Sequence, residues 1–385
     1  PSSRSTYRKV SENITNYDIS PDGNRALFGA RGEIFTVPAK YGNTRNLTNT
    51  SGIHERNSKW SPDGRWIAYI SDQSGEDEIY LINQDGSGTP QQITKGADTY
   101  KYDIRWSPDS KKILWSDKLL RLNCVDVETK RMEEVARASR WEIRDYAWSP
   151  DSLWIAYARP EAEFMTKTYV YDCQTGKTYE VTDGWYSSYS PAFSSDGKYL
   201  FFVSDRDFNP IYSRTEWNHA YLSMARIYLV TLSKEVKSPF EPKSDEVTLK
   251  SEPEKKEEKP EQKAKEETKT GTVEAKKALV KIDPEGLKER IIALPVEVAD
   301  YWQITSAGDT VYYMKRGERD RESSLKMFDL KEQKETDLGE INGYEMSHDQ
   351  KKMIVNQGKS FAIIDLPKAP VRITEKLELS AMEMK

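Results

Sequence analysis

Histidine and cysteine are almost absent from this chain, with three and two residues among 385. Two cysteines cannot build a disulfide framework, and Cys124 and Cys173, both in strand-like runs, are expected to be buried free thiols. Scarce histidine narrows imidazole general-base chemistry to His54, His219 and His348, and none of them lies near a nucleophile motif. The strained Gly-x-Ser-x-Gly turn that carries a hydrolase serine does not occur. His-Glu-x-x-His, Cys-x-x-Cys, a calcium-loop pattern and a glycine-rich phosphate cradle are missing as well, so no metal and no cofactor is expected. Long apolar runs are lacking too: mean hydropathy is −0.81 and nothing approaches a membrane span, so the chain is expected to be soluble. A net charge of −5 without a basic face argues against nucleic acid as a partner. The chain opens on Pro1 with no charged or apolar leader, and reads as either processed or cut from something longer. By itself it is expected to catalyse nothing.

Aromatic residues and one short phrase are abundant. In Trp60-Ser61-Pro62-Asp63-Gly64, proline pre-sets the second position of a β-turn, aspartate bonds a downstream amide and glycine tolerates a left-handed backbone. The run Arg65-Trp66-Ile67-Ala68-Tyr69-Ile70 behind it is rich in strand formers. The phrase returns at Ser20-Pro21-Asp22-Gly23, Ser107-Pro108-Asp109-Ser110, Ser149-Pro150-Asp151-Ser152 and Ser194-Ser195-Asp196-Gly197, with Trp106, Trp148 and Phe193 repeating Trp60. The spacing, roughly 41 to 46 residues with strands only, is that of propeller blades. Two later strands follow each corner, as in Glu78 to Ile82 and Gln91-Gln92-Ile93-Thr94, matched by Glu33 to Val37 and Arg45-Asn46-Leu47-Thr48. With the strand leading into the corner, each unit has four. One such sheet cannot hide both faces, so units must stack around an axis, and 22 Tyr and 10 Trp supply the buried area.

Weaker corners at Ser306-Ala307-Gly308-Asp309 and Met346-Ser347-His348-Asp349 bring the count to seven. The reading is therefore an all-β fold: residues 11–385 as a single seven-bladed propeller of four-stranded antiparallel blades. A Lys/Glu-rich stretch, 241–276, lacks aromatics and reads as a mobile insert within the fifth blade. A second excursion, Asp207 to Ala225, separates the second and third strands of that blade. Either Tyr7 to Val10 or Lys376 to Met384 could complete an end blade. The acidic stretch Asp72, Glu76, Asp77, Glu78 reads as a polar hairpin loop whose charges keep a blade edge from pairing with strangers.

Taken together, "ARGEIFTVPAKYGNTRNLTNTSGIHERNSKWSPDGRWIAYISDQSGEDEIYL", "FSSDGKYLFFVSDRDFNP" and "IDPEGLKERIIALPVEVADYWQI" resemble the second, seven-bladed propeller of the tricorn-type serine peptidases, from about Asn16 to the end. The resemblance implies a non-catalytic ring that gates or guides peptide substrates toward a catalytic region beyond Lys385, with the other domains of the parent peptidase as partners and its homo-oligomeric state left open. Family members are exported in many bacteria and cytoplasmic in archaea, which favours the periplasm over the cytoplasm here. Because innermost strands precede the corners, His54, Arg56, Arg105 and Arg144 are candidates for the channel or its rim. The alternative is an interaction scaffold that binds a folded partner, as other propellers with this Trp-Ser-Pro-Asp-Gly blade do.

Overall fold

The corner that organises the chain is local chemistry. In six blades the corner serine (Ser20, Ser61, Ser107, Ser149, Ser194, Ser347) donates its hydroxyl to the aspartate two residues on, at 2.5–2.7 Å. The same oxygen accepts the amide five residues on at 2.8–3.0 Å, and the aspartate accepts the amide two residues beyond itself. Each corner thus satisfies its own polar groups before any partner strand arrives. Gly23, Gly64 and Gly197 supply the positive φ that closes the turn.

Ser110 and Ser152 hold that strained position at φ 62° and 65°, and the structure supplies the reason. Their hydroxyls accept amides from the preceding blade's corner, Asp63 N to Ser110 Oγ at 2.9 Å and Asp109 N to Ser152 Oγ at 3.1 Å. Asp151 accepts Val280 N at 2.7 Å, Ser195 exchanges bonds with Ser306 and Gly308, and Asp349 N reaches Pro21 O at 3.1 Å. Corners are therefore stitched to their neighbours along one face of the ring.

A computed structural model describes residues 6–163, 165–207, 210–212, 219–221, 223–241 and 279–385. Seven antiparallel sheets follow one another in chain order. Their innermost strands are Ile14–Ile19, Glu55–Trp60, Lys101–Trp106, Tyr146–Trp148, Ser188–Phe193, Asp300–Ala307 and Gly343–Met346. Six sheets have four strands and the seventh has three, ending at Ser360–Asp365. In the fifth blade the hairpin Pro210–Tyr212 and His219–Tyr221 separates the second strand from the third, Arg226–Thr231, and the fourth is Ile291–Ala293. All but Glu241 of the charged stretch 241–276 lies outside the described residues.

Side-chain alternation sends neighbouring residues into opposite seams. Ile67 and Tyr69 pack toward Leu27, Ile34 and Leu47 of blade 1, while Ala68 and Ile70 pack toward Ile104, Trp106 and Ile113 of blade 3. Among the described residues the buried apolar side chains fall into seven clusters, one for each seam, the last joining Ile354 and Phe361 of blade 7 to Phe28 and Phe35 of blade 1. Threonines lock the outer strands: Thr48, Thr94 and Thr182 accept the amides of Ile34, Ile79 and Thr168.

The chain ends meet at that last seam. Arg8–Lys9 and Glu383–Met384 form a two-stranded pair, and Val10 N donates to Met382 O at 3.0 Å. The terminal stretch reaches the outer edge of the seventh blade, where Leu377 N donates to Phe361 O at 2.8 Å as Leu47 N does to Ile34 O at 2.7 Å, and then pairs with Arg8–Lys9; Val10, Leu377 and Met382 bury their side chains in the seam between blades 7 and 1. Asp77 and Glu78 also differ from a free loop. Asp77 pairs with Arg56, and buried Glu78 accepts Thr94 Oγ1 and Ala97 N and lies 3.7 Å from Lys101 Nζ.

Candidate functional site

Where the seven innermost strands converge, one residue from each occupies the same register, immediately before the position that closes the corner. In chain order these are Asp18, Lys59, Arg105, Ala147, Ala192, Thr305 and Glu345. All seven line two adjoining cavities of about 180 and 550 Å³, which share Arg105, Trp106 and Glu345. The ring is lopsided. Blades 7, 1, 2 and 3 contribute four charged side chains, whereas blades 4, 5 and 6 contribute two alanines and a threonine, and the larger cavity opens beside these small residues.

Backbone irregularity helps aim the lining. Five innermost strands carry a register shift, and in three of them a residue other than glycine sits at positive φ: Asn57 at 52°, Ser190 at 52° and Gln303 at 53°. A bulge inserts one unpaired residue and so reverses which side of the strand later side chains occupy. At Gln303 the strain is held by Tyr344, whose hydroxyl donates to Gln303 O while the Gln303 side-chain amide donates to Tyr344 O.

The charged half is a network. Lys59 Nζ lies 3.0 Å from Glu345 Oε1 and 3.8 Å from Asp18 Oδ1, and Asp18 Oδ2 accepts Trp60 N at 2.8 Å. Burial raises the Asp18 carboxyl above its usual range, Lys59 pulls it back and Glu345 pushes it further up. For Lys59, burial alone would lower the ammonium, but Asp18 and Glu345 outweigh it and hold it above its usual value. Asp145 is raised by burial and accepts Ser190 N at 3.0 Å.

Arg105 is open to the water of the cavity although protein walls it on every side. Burial disfavours its charge, yet Glu345, Asp103, Tyr146 and Asp18 together raise its pKa, so it stays cationic. Arg144 lines the larger cavity with its guanidinium 3.3 Å over the Tyr102 ring, and Tyr102 is fixed by its hydroxyl bond to Glu142 Oε1 at 2.9 Å.

Of the four residues singled out from sequence, Arg105 and Arg144 share this cavity. His54 is exposed on the segment before the second innermost strand, its amide donating to Asp72 Oδ1 at 2.8 Å. Arg56 is buried in the seam between blades 2 and 3, where it pairs with Asp77, donates to Lys101 O at 2.9 Å and covers the Tyr100 ring. Asp18, Lys59, Asp145, Trp302 and Glu345 were not foreseen. The signal for the ring was available: the residue one step before each corner-closing position.

The opposite ends of the strands carry a different surface. Tyr100, Leu119, Trp141, Met165, Trp185 and Tyr186 lie on the connections at the ends away from the corners of blades 2 to 5, and all are exposed, Trp141 by 65% and Trp185 by 79%.

A family model described as the Tricorn protease second beta propeller domain matches residues 14–367. Tricorn protease homolog 1 of Streptomyces coelicolor is 27% identical over 357 residues, covering 87% of this chain and 32% of that protein. The Tricorn protease homolog of Saccharolobus solfataricus is 24% identical over 381 residues, covering 96% of this chain and 32% of its own length. The crystal structure of the tricorn protease superposes with a TM-score of 0.80 at 17% identity, across 99% of this chain and 36% of that one. The chain thus spans about a third of the length of the relatives it matches.

Proposed function

Because the chain belongs to the family of tricorn protease second β-propeller domains, we propose that its ring is the passage by which peptides reach a catalytic region elsewhere in the parent polypeptide. The single observation that carries this reading is the axial cavity, to which every blade contributes one side chain of the same register. An extended peptide is slim enough to lie among seven side chains, whereas a folded domain is excluded by size. Lys59 and Glu345 touch in front of Asp18, which narrows the charged side and leaves Ala147, Ala192 and Thr305 as the open side.

The test fills that open side in the full-length parent. Ala147→Arg should lower kcat/KM for a peptide of about ten residues by about tenfold, the equivalent of roughly 1.4 kcal/mol of transition-state stabilisation. Cleavage of a blocked dipeptide substrate, small enough to reach the catalytic region by other routes, should be unchanged. Equal effects on both substrates would sink the reading, and so would turnover of either by the isolated chain. A periplasmic location belongs to the same proposal and is tested by fractionating cells that express the parent.

A second reading has its own observation. The six exposed apolar side chains at the ends away from the corners form the kind of surface that marks a protein interface. There the ring would act as a scaffold against a folded partner or another domain of the parent. Trp141→Ser with Trp185→Ser should then weaken that association without altering long-peptide cleavage by the channel.

A further inference from the structure

The larger axial cavity holds two guanidinium groups and an uneven distribution of partners. Its acids are already engaged by protein: Glu345 lies 3.0 Å from Lys59 Nζ, and Asp145 accepts the Ser190 amide at 3.0 Å. Its arginines are held less closely: Arg105 feels Glu345, Asp103, Asp145 and Asp18 only through space, and Arg144 rests on the Tyr102 ring. Among the described residues neither Arg105 nor Arg144 has a carboxylate within 4 Å, and neither guanidinium donates a hydrogen bond. Three arginines in neighbouring seams are paired with acids: Arg56 with Asp77, Arg121 with Asp98 and Asp117, Arg159 with Glu161. Arg144 is also held in place, because its guanidinium carbon lies 3.3 Å from the centre of the Tyr102 ring, whose hydroxyl is anchored to Glu142. Two guanidinium groups that line one cavity and make no ion pair there offer it the N–H donors that suit a planar carboxylate. Trp302, Ile304, Pro191 and Pro108 add an apolar stretch to a wall that also carries Ser190, Gln303 and Thr305, and that stretch suits the side chain next to such a group.

We propose that this cavity is a carboxylate-recognition site in which Arg105 and Arg144 together receive a carboxylate of a bound peptide. The inference rests on the reading that peptides occupy the axis and adds a chemical preference to it. The carboxylate has two sources, a peptide C-terminus or an Asp or Glu side chain, and the geometry of the two arginines is the same for either.

Calorimetry on the intact chain separates the outcomes with three probes: N-acetyl-Ala-Ala-Phe as the free acid, the same peptide as its amide, and N-acetyl-Ala-Asp-Phe amide. The free acid should bind about tenfold more tightly than its amide, a ratio that corresponds to roughly 1.4 kcal/mol. Tighter binding of the aspartyl amide than of the alanyl amide assigns the site to acidic side chains as well, and equal binding of those two assigns it to C-termini. In Arg105→Gln and in Arg144→Gln the acid-to-amide ratio should fall toward one, and in Arg105→Lys it should be partly kept. Thermal melts of each variant keep loss of folding apart from loss of recognition, and Arg105→Lys, which retains the charge beside Glu345, Asp103 and Asp18, serves as the control for Arg105→Gln. If all three probes bind equally to the unaltered chain, carboxylate recognition is refuted and the passage reading stands. If none of them binds, both fall.

Discussion

Glu55 offers a stability effect whose size follows from its surroundings. Its side chain is buried at the seam of blades 1 and 2, where Oε1 accepts the Thr50 hydroxyl at 2.5 Å and Oε2 has no hydrogen-bond partner. Burial raises its pKa to about 7, partly countered by Thr50 and Thr48 and reinforced by Glu33 and Asp72. The folded chain therefore holds a proton at pH 6 that the unfolded chain, with a carboxyl near its ordinary value of 4.5, has released. Stability falls with rising pH wherever the folded state binds more protons. The loss begins as pH rises through the unfolded value and is complete above the folded one, and a gap of about 2.5 pH units amounts to roughly 3 kcal/mol. Glu55→Gln keeps the shape and removes the charge. Urea midpoints at pH 5 and pH 8 should separate clearly for the parent chain, and the variant should lack the part of that separation owed to this group. At pH 8 the variant should be the more stable of the two. An unchanged pH dependence in the variant would refute the reasoning, since it would mean that Glu55 is solvated or ionised in the folded ring.

Three further outcomes follow from contacts elsewhere. Ser110→Ala keeps the positive φ but loses the bond from Asp63 N, so thermal melts should show a cost of about 1 kcal/mol. Ser110→Gly relieves the strain as it loses the bond and should cost less. Arg56→Met leaves Asp77 in the seam of blades 2 and 3 without its cation, and denaturant melts should register a loss of about 3 kcal/mol. Finally, Cys124 and Cys173 should react slowly with iodoacetamide at pH 8 until the chain unfolds, because burial raises both thiols, Cys173 to about 12. Rapid labelling of the native chain, followed by mass, would contradict that.

The blades were legible in sequence because their information is local. A serine, a proline, an aspartate and a glycine within four residues satisfy one another, and a Leu-Thr or Ile-Thr pair some thirty residues later locks the outer strand. Even the degenerate corners at Asp309 and Asp349 kept the turn and the strand behind it. What escaped was nonlocal. The three-stranded seventh blade and the pairing of Arg8–Lys9 with Glu383–Met384 depend on where two ends of a chain meet across a seam, and no spacing announces that. The placement of Arg56 is nonlocal in a different way. The extra residue between Arg56 and Lys59 brings both to the face opposite Ile70 and Ala68, so they differ in place along the strand: Arg56 sits at the end away from the corner, in a seam, and Lys59 beside the corner, at the axial cavity. Arg105 and Arg144 come from adjacent blades, and only the fold reveals that they line one cavity.

The lopsided ring has a consequence for whatever lies along it. An extended chain displays its side chains in two rows, odd residues to one hand and even residues to the other. Between a wall of Asp18, Lys59, Arg105 and Glu345 and a wall of Ala147, Ala192 and Thr305, the two rows meet unlike neighbours. Sliding such a guest by one position would exchange them, so an extended segment along the axis would meet the same neighbours only at every second placement.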